Sequence, residues 1–216
     1  MKLLTSLCLA TCLATPVVAC QTALALTIDV SNSVDPGEYR LQIDGMADAL
    51  QDPEIVDAMV QGEVAIMVIQ WSGTDRQEVS IPWTRIRTAL DAERLAAEAR
   101  LIPRAFVLSD TAPAEAISFA LGQFGAVADC EHHVIDVSGD GTPNAGGDVR
   151  GARNRAERQG VTINGVAIES MGVAITGFYK TSIITRNGFV ITARTHREYP
   201  EAIRMKILRE LAQVFG

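Results

Sequence analysis

No internal repeat, no low-complexity tract and no stretch polar enough for long disorder interrupts the 216 residues. Repeat arrays and intrinsically unfolded chains are thereby excluded. An excess of basic charge is also lacking: 19 Lys and Arg stand against 26 Asp and Glu, a net charge of −7. Binding to nucleic acid through its phosphates needs a clustered cationic surface, so that class of partner is argued against. After the first residues no further stretch is long and apolar enough to span a membrane. What the chain has is an ordinary globular balance, 48% hydrophobic and 21% charged residues, enough for one domain with a full core.

The start of the chain is a segment of its own. Lys2 supplies a short positive start, Leu3 to Ala19 is apolar and small, and Val17-Val18-Ala19 makes a small-residue exit. Residues 1–19 therefore read as a secretory signal peptide, which leaves 20–216 as one exported domain, periplasmic or secreted. The apolar run is nearly long enough to span a bilayer, so an uncleaved anchor is the alternative. Cys8 and Cys12 leave with the signal, whereas Cys20 and Cys130 remain as an even pair in an oxidising compartment. Val17-Val18-Ala19-Cys20 also resembles a lipoprotein cleavage box, which would acylate Cys20 instead.

Strand-like and helix-like segments then alternate. Ala23 to Ile28 is a continuous apolar run, as a parallel strand covered on both faces requires. Asp35 caps a helix with Pro36 in its first turn, and the pattern runs to about Met59. Val64 to Trp71 is a strand, and Gln77 to Trp83, containing Pro82, suits an antiparallel edge. Ala89 to Leu101 and Pro113 to about Phe124 are helical. His133 to Val137 is the next strand, and a glycine-rich loop from Gly139 to Gly147 leads to a helix capped by Asp148 and running through Gln159. Val161 to Ile168 and Phe189 to Ala193 are strands, with a short helix between Gly172 and Ile184. Tyr199 to Phe215 closes the chain as an amphipathic helix with Ile203, Ile207, Leu211 and Val214 on one side. The fold class is α/β: a Rossmann-like, doubly wound, mostly parallel six-stranded sheet with one antiparallel edge strand and helices on both faces. Ligands of such sheets bind beyond the carboxyl ends of the strands, where strand order reverses.

Two strand ends carry chemistry. The first is Asp29-Val30-Ser31-Asn32-Ser33, a carboxylate and two hydroxyls at alternate positions in one tight loop. The second is Val137-Ser138-Gly139-Asp140-Gly141, another carboxylate after a buried run, with glycines that admit close backbone approach. Between them Ser109-Asp110-Thr111 offers a hydroxyl before a helix start. Hard oxygens in this number suit Mg²⁺, which takes about six oxygens and keeps some as water. Loop capping by Asp29 and backbone satisfaction by Ser31 and Ser33 is the alternative.

The order Asp-x-Ser-x-Ser, then Thr, then Asp-Gly resembles the metal-ion-dependent adhesion site of von Willebrand factor A domains, over about residues 23–216. The resemblance implies Ser31, Ser33 and Thr111 as ligating hydroxyls and Asp29 and Asp140 as carboxylates, direct or through water. Mg²⁺, Mn²⁺ or Ca²⁺ is the implied ion, and a protein partner presenting a carboxylate is the implied ligand. Ser109 and Asp110 compete with Thr111 for its loop position. The runs Leu26 to Ser31 and Val134 to Gly141 resemble a secreted bacterial subgroup of little more than this one domain, without an assigned role. In the family's sheet the first and fourth strands are parallel neighbours. Cys20 precedes Asp29 by nine residues and Cys130 precedes Asp140 by ten, so the resemblance favours a Cys20–Cys130 disulfide over acylation.

The family's usual activity implies a binding module rather than an enzyme. A haloacid-dehalogenase phosphotransferase needs Asp-x-Asp, and Ser31 occupies the second position. No Gly-x-Ser-x-Gly elbow occurs, and the glycine loop lacks Gly-x-Gly-x-x-Gly. Metal-dependent hydrolysis and a structural domain with a vestigial site are the alternatives. Other residues take blander roles. His132 and His133 face opposite ways and cannot readily share a metal, so at least one is a surface or packing residue; Asp136 makes a structural hydrogen bond, and Trp71 and Trp83 pack the hairpin. Asn144 lines the rim or makes a turn. Arg150, Arg153, Arg155 and Arg158 form a solvated face or an anionic-partner patch, and Glu169 is a further candidate near the site.

Overall fold

The first strand, β1 (Thr22–Asp29), is buried at every position. Leu24, Leu26 and Ile28 enter one core cluster and Ala23 and Ala25 the other, so its alternate side chains serve two covered faces. The computed structural model describes residues 20–169 and 174–212. Residues 1–19, where a signal peptide with Cys8 and Cys12 is expected, and Val214, expected on the closing helix, lie outside those residues.

The sheet has six strands in the order β3-β2-β1-β4-β5-β6, with β2 Ala65–Trp71, β3 Gln77–Arg85, β4 His132–Gly139, β5 Val161–Ile168 and β6 Val190–Ala193. All neighbours are parallel except β2 and β3, which form the antiparallel hairpin at one edge. Its register shifts between Ile66 and Ile69, and Pro82, which cannot donate to a ladder, faces solvent on β3. Chain order reverses at β1, which has β2 on one side and β4 on the other, so the carboxyl ends of β1 and β4 flank the switch point.

One face carries α1 (Pro36–Ala49), α2 (Pro53–Gln61), α3 (Ala89–Arg100) and α7 (Tyr199–Ala212). The other carries α4 (Pro113–Leu121), α5 (Val149–Arg158) and α6 (Ile175–Phe178), which continues as a π-helical turn to Ile183. The single helix expected from Asp35 to Met59 is two. Pro53 has no N–H and disfavours helix at the residue before it, so the chain breaks at Asp52, which recaps α2 by accepting from Glu54 N and Ile55 N. Asp148 occupies the N-cap position of α5, yet its side chain makes no cap hydrogen bond. The last strand begins at Val190 rather than Phe189, whose N–H is taken by the Asn164 side chain.

At the amino end of the sheet Cys20 and Cys130 are joined in a disulfide, their Cα atoms 4.4 Å apart. The pairing follows from register: Thr22 on β1 is level with His132 on β4, and Glu131 N and His132 N already donate to Cys20 O and Gln21 O. No helix among the described residues is long and apolar enough to cross a membrane.

Under the α7 face lies a buried polar knot. Lys206 Nζ is 2.5 Å from Asp136 Oδ2 and 2.6 Å from Glu210 Oε1, and Asn164 donates to Glu210 at 2.8 Å. Burial drives the Asp136 carboxyl upward, against the pull of the Lys206 ammonium and with the push of Glu210. Asp136 is thus structural, as expected from its mid-strand position. Its cationic partner 70 residues later was not foreseen.

Candidate metal centre

Three loops meet above the switch point. The loop after β1 is turned tightly by its own backbone: Ser31 N donates to Asp29 Oδ1 at 2.7 Å and Val34 N to Ser31 O at 3.1 Å. From below, the Arg104 guanidinium donates to Val30 O at 2.9 Å and Ser31 O at 2.8 Å. Arg104 went unnoticed in the sequence, where nothing marks an arginine 74 positions from Val30 as its anchor.

The side-chain oxygens form a chain. Thr111 Oγ1 donates to Ser31 Oγ at 3.0 Å, Ser31 Oγ lies 3.1 Å from Ser33 Oγ, and Ser33 Oγ donates to Asp140 Oδ1 at 2.5 Å. Asp29, Ser31, Thr111 and Asp140 are buried, while Ser33 stands at the exposed edge. Thr111 is the residue of its loop that joins the group. Its neighbour Ser109 accepts from Gly73 N, Asp110 is exposed, and Asn144 holds Thr111 by accepting its N–H at 2.8 Å. Asn144 N returns a bond to Thr111 O, so Asn144 pins the glycine loop to the Thr111 backbone. Glu169 does not reach the group; its carboxylate accepts from Thr176 N.

These oxygens fit a hard divalent ion. Ligands of an octahedral ion at about 2.1 Å stand roughly 3 Å apart along each edge, and the hydroxyl contacts have that spacing. Asp29 Oδ2 is buried with no hydrogen-bond partner, which is costly unless something else satisfies it. Burial pushes the Asp29 carboxyl up to about 7, outweighing its hydrogen bonds from Ser31, and the Asp140 charge adds to the rise. Two enclosed carboxylates that raise one another's energy are stabilised by a cation between them.

Two further residues stand behind Asp140. His196, in a 3-10 turn after β6, has Nε2 3.8 Å from Asp140 Oδ2 and Nδ1 3.0 Å from Glu38 Oε1. Neither carries a local sequence pattern that marks it. His133 packs its ring 4.9 Å from that of Phe124 while His132 is exposed, as their opposite facing requires. Trp83 lies against Phe124 and donates to Gln123 O, and Trp71 is fully buried. The α5 arginines form the solvated face expected of them, with Arg150, Arg155 and Arg158 exposed and Arg153 half-buried; Arg150 and Arg153 also reach Ser182 and Thr181, and Arg155 donates to Ser118.

A family model described as "Protein of unknown function (DUF1194)" matches residues 19–215. No curated protein is matched by sequence. Among solved structures, proximal thread matrix protein 1 of the mussel byssus superposes with a TM-score of 0.66 at 19% identity, over 89% of this chain and 47% of that one. A second structure of that protein, with a zinc-occupied MIDAS motif, gives 0.62 at 14% identity over 88% and 46%. A von Willebrand factor type A structure from Catenulispora acidiphila gives 0.60 at 14% identity over 88% and 43%. The vWF domain of the type V pili tip protein Mfa5 from Porphyromonas gingivalis gives 0.65 at 9% identity over 91% and 97%. The chain spans about half the length of the first of these structures. Its fold is that of a von Willebrand factor A domain.

Proposed function

The chain belongs to the DUF1194 family and has a von Willebrand factor A fold; from that premise we propose that it is an exported, divalent-cation-dependent binding module rather than an enzyme. The observation that carries the reading is the oxygen chain from Thr111 through Ser31 and Ser33 to Asp140, drawn from three separate loops. Ser31, Ser33, Thr111 and Asp140 would hold Mg²⁺, Mn²⁺ or Ca²⁺, with Asp29 reaching it directly or through water. The ion would supply a Lewis-acidic position to which a carboxylate of a protein partner adds. Neutral hydroxyls serve this end, because they leave positive charge that four carboxylates would have quenched. Val107 and Leu108, 61% and 86% exposed on the loop that ends in Thr111, offer apolar contact beside that carboxylate.

Export rests on the apolar segment at residues 1–19 and on the Cys20–Cys130 bridge, which suits an oxidising compartment. A disulfide-bonded Cys20 is not available for acylation.

The test is capture of an arrayed library of Asp- and Glu-bearing peptides by the immobilised protein, with Asn and Gln counterparts as controls. Binding of carboxylate peptides in Mg²⁺ or Mn²⁺, lost in EDTA and in Ser33→Ala, is expected. Equal capture of the amide counterparts, or capture indifferent to EDTA, would contradict it.

A further inference from the structure

Asp140 faces two ways. Its Oδ1 accepts from Ser33 on the hydroxyl side, and its Oδ2 looks toward His196. The His196 side chain is 3% exposed, and neither ring nitrogen has a hydrogen-bond partner. Nδ1 lies within ion-pair distance of Glu38 Oε1 without the alignment of a hydrogen bond, and the 3.8 Å to Asp140 Oδ2 is too long for one. A neutral imidazole carries one N–H and one lone pair. With a carboxylate beside each nitrogen, the lone pair then faces negative charge.

Positive charge on that lone pair, from a second proton or from a metal ion, resolves the arrangement. We propose a second, nitrogen-containing cation site built by one ring nitrogen of His196, a Glu38 carboxylate oxygen and Asp140 Oδ2, selective for a metal of the Zn²⁺ class. One donor atom from each of the three residues lies within 4.8 Å of the others. Ligands about 2.0–2.2 Å from a tetrahedral zinc ion stand roughly 3.3–3.6 Å apart, so a shift of about an ångström closes the triad. Three protein ligands leave a fourth position open.

The surroundings hold the ligands in place. Glu38 is fixed by the capping box of α1, in which its Oε2 accepts the Asp35 N–H at 2.9 Å. A surface cavity lined by Asp35, Gly37, Glu38, Thr195, His196 and Arg197 gives the ion a way in. Selectivity follows from the donors. An imidazole suits Zn²⁺ and its transition-metal neighbours, whereas the all-oxygen group across Asp140 suits Mg²⁺. Asp140 would bridge the two, offering Oδ1 to the outer ion and Oδ2 to the inner one.

The inference does not rest on the outer site binding a partner, and the two separate by residue. Chelator-stripped protein is titrated calorimetrically with Zn²⁺ alone and with Mg²⁺ alone. The wild-type chain is expected to take up two Zn²⁺ and one Mg²⁺. Ser33→Ala should lose Mg²⁺ uptake and keep one Zn²⁺, while His196→Ala should keep Mg²⁺ uptake and lose one Zn²⁺. Glu38→Gln should weaken the inner Zn²⁺ by at least tenfold. Two Zn²⁺ retained by His196→Ala would overturn the inference, and so would wild-type Zn²⁺ uptake that Ser33→Ala abolishes entirely. Should His196→Ala not fold, the ring resonances of His196 in the wild-type protein decide: displacement by one equivalent of Zn²⁺ but not of Mg²⁺ supports the site, and unmoved resonances refute it.

Discussion

A methyl group on Gly139 would lie 2.9 Å from Tyr179 Oη and 3.0 Å from Asp29 Oδ2. Gly139 on β4 is the residue next to Asp29 across the sheet, one step beyond the Ile28–Ser138 pair. The absence of a side chain there is what lets a buried carboxylate and a phenol share the strand end. Gly139→Ala is expected to cost about 1–3 kcal/mol by overpacking and to weaken divalent-ion uptake at least tenfold. Denaturant unfolding and Mg²⁺ titration check the two effects. At this scale the ligand candidates were legible because Asp29, Ser31 and Ser33 sit within five residues and Asp140 follows a buried run. Arg104, Glu38 and His196 were not. Each acts through a contact with a distant segment, and a lone Arg, Glu or His carries no local pattern to announce it.

The elements that carry these residues are held by ends and by pairs. Asp52 starts α2 by accepting from Glu54 N and Ile55 N, and its other oxygen receives Arg204 Nε of α7 at 2.7 Å. Partial burial of the Asp52 carboxyl is outweighed by the Arg204 hydrogen bond and by the two N–H donors, so its pKa falls. A carboxyl lowered in the folded state contributes stability above its unfolded pKa of about 3.9 and loses it as pH falls through the folded value. Asp52→Ala should therefore cost about 1 kcal/mol at pH 7, a difference that shrinks below about pH 4. Urea unfolding at the two pH values measures it. The cap at Asp35 is the one the sequence indicates, and α2 was hidden because apolar periodicity continues past Pro53. Asp148 likewise stands at the N-cap of α5 as its residue type suggests, although its side chain makes no cap hydrogen bond.

For the whole molecule, strand order decides where the candidate site forms. The β3-β2-β1-β4-β5-β6 order brings the ends of β1 and β4 side by side, so Ser33 and Asp140, 107 residues apart, meet. The same register brings Cys20 and Cys130 together at the opposite end of the two strands. Strand and helix alternation made the layered architecture legible from periodicity alone, and the β1–β4 adjacency came with the family resemblance. The Lys206–Asp136–Glu210 knot that seats α7 was not legible, since a buried lysine has the same sequence signature as an exposed one.

Ion uptake at the hydroxyl cluster is the claim on which the functional account stands. Calorimetric titration of chelator-stripped protein with Mg²⁺ tests it, beside Ser33→Ala, an exposed position whose loss leaves the core intact. The account predicts one Mg²⁺ per wild-type chain, accompanied by a rise in unfolding temperature, and no uptake by the variant. Absence of heat and of stabilisation in the wild-type protein, with Mn²⁺ as well as Mg²⁺, would contradict it.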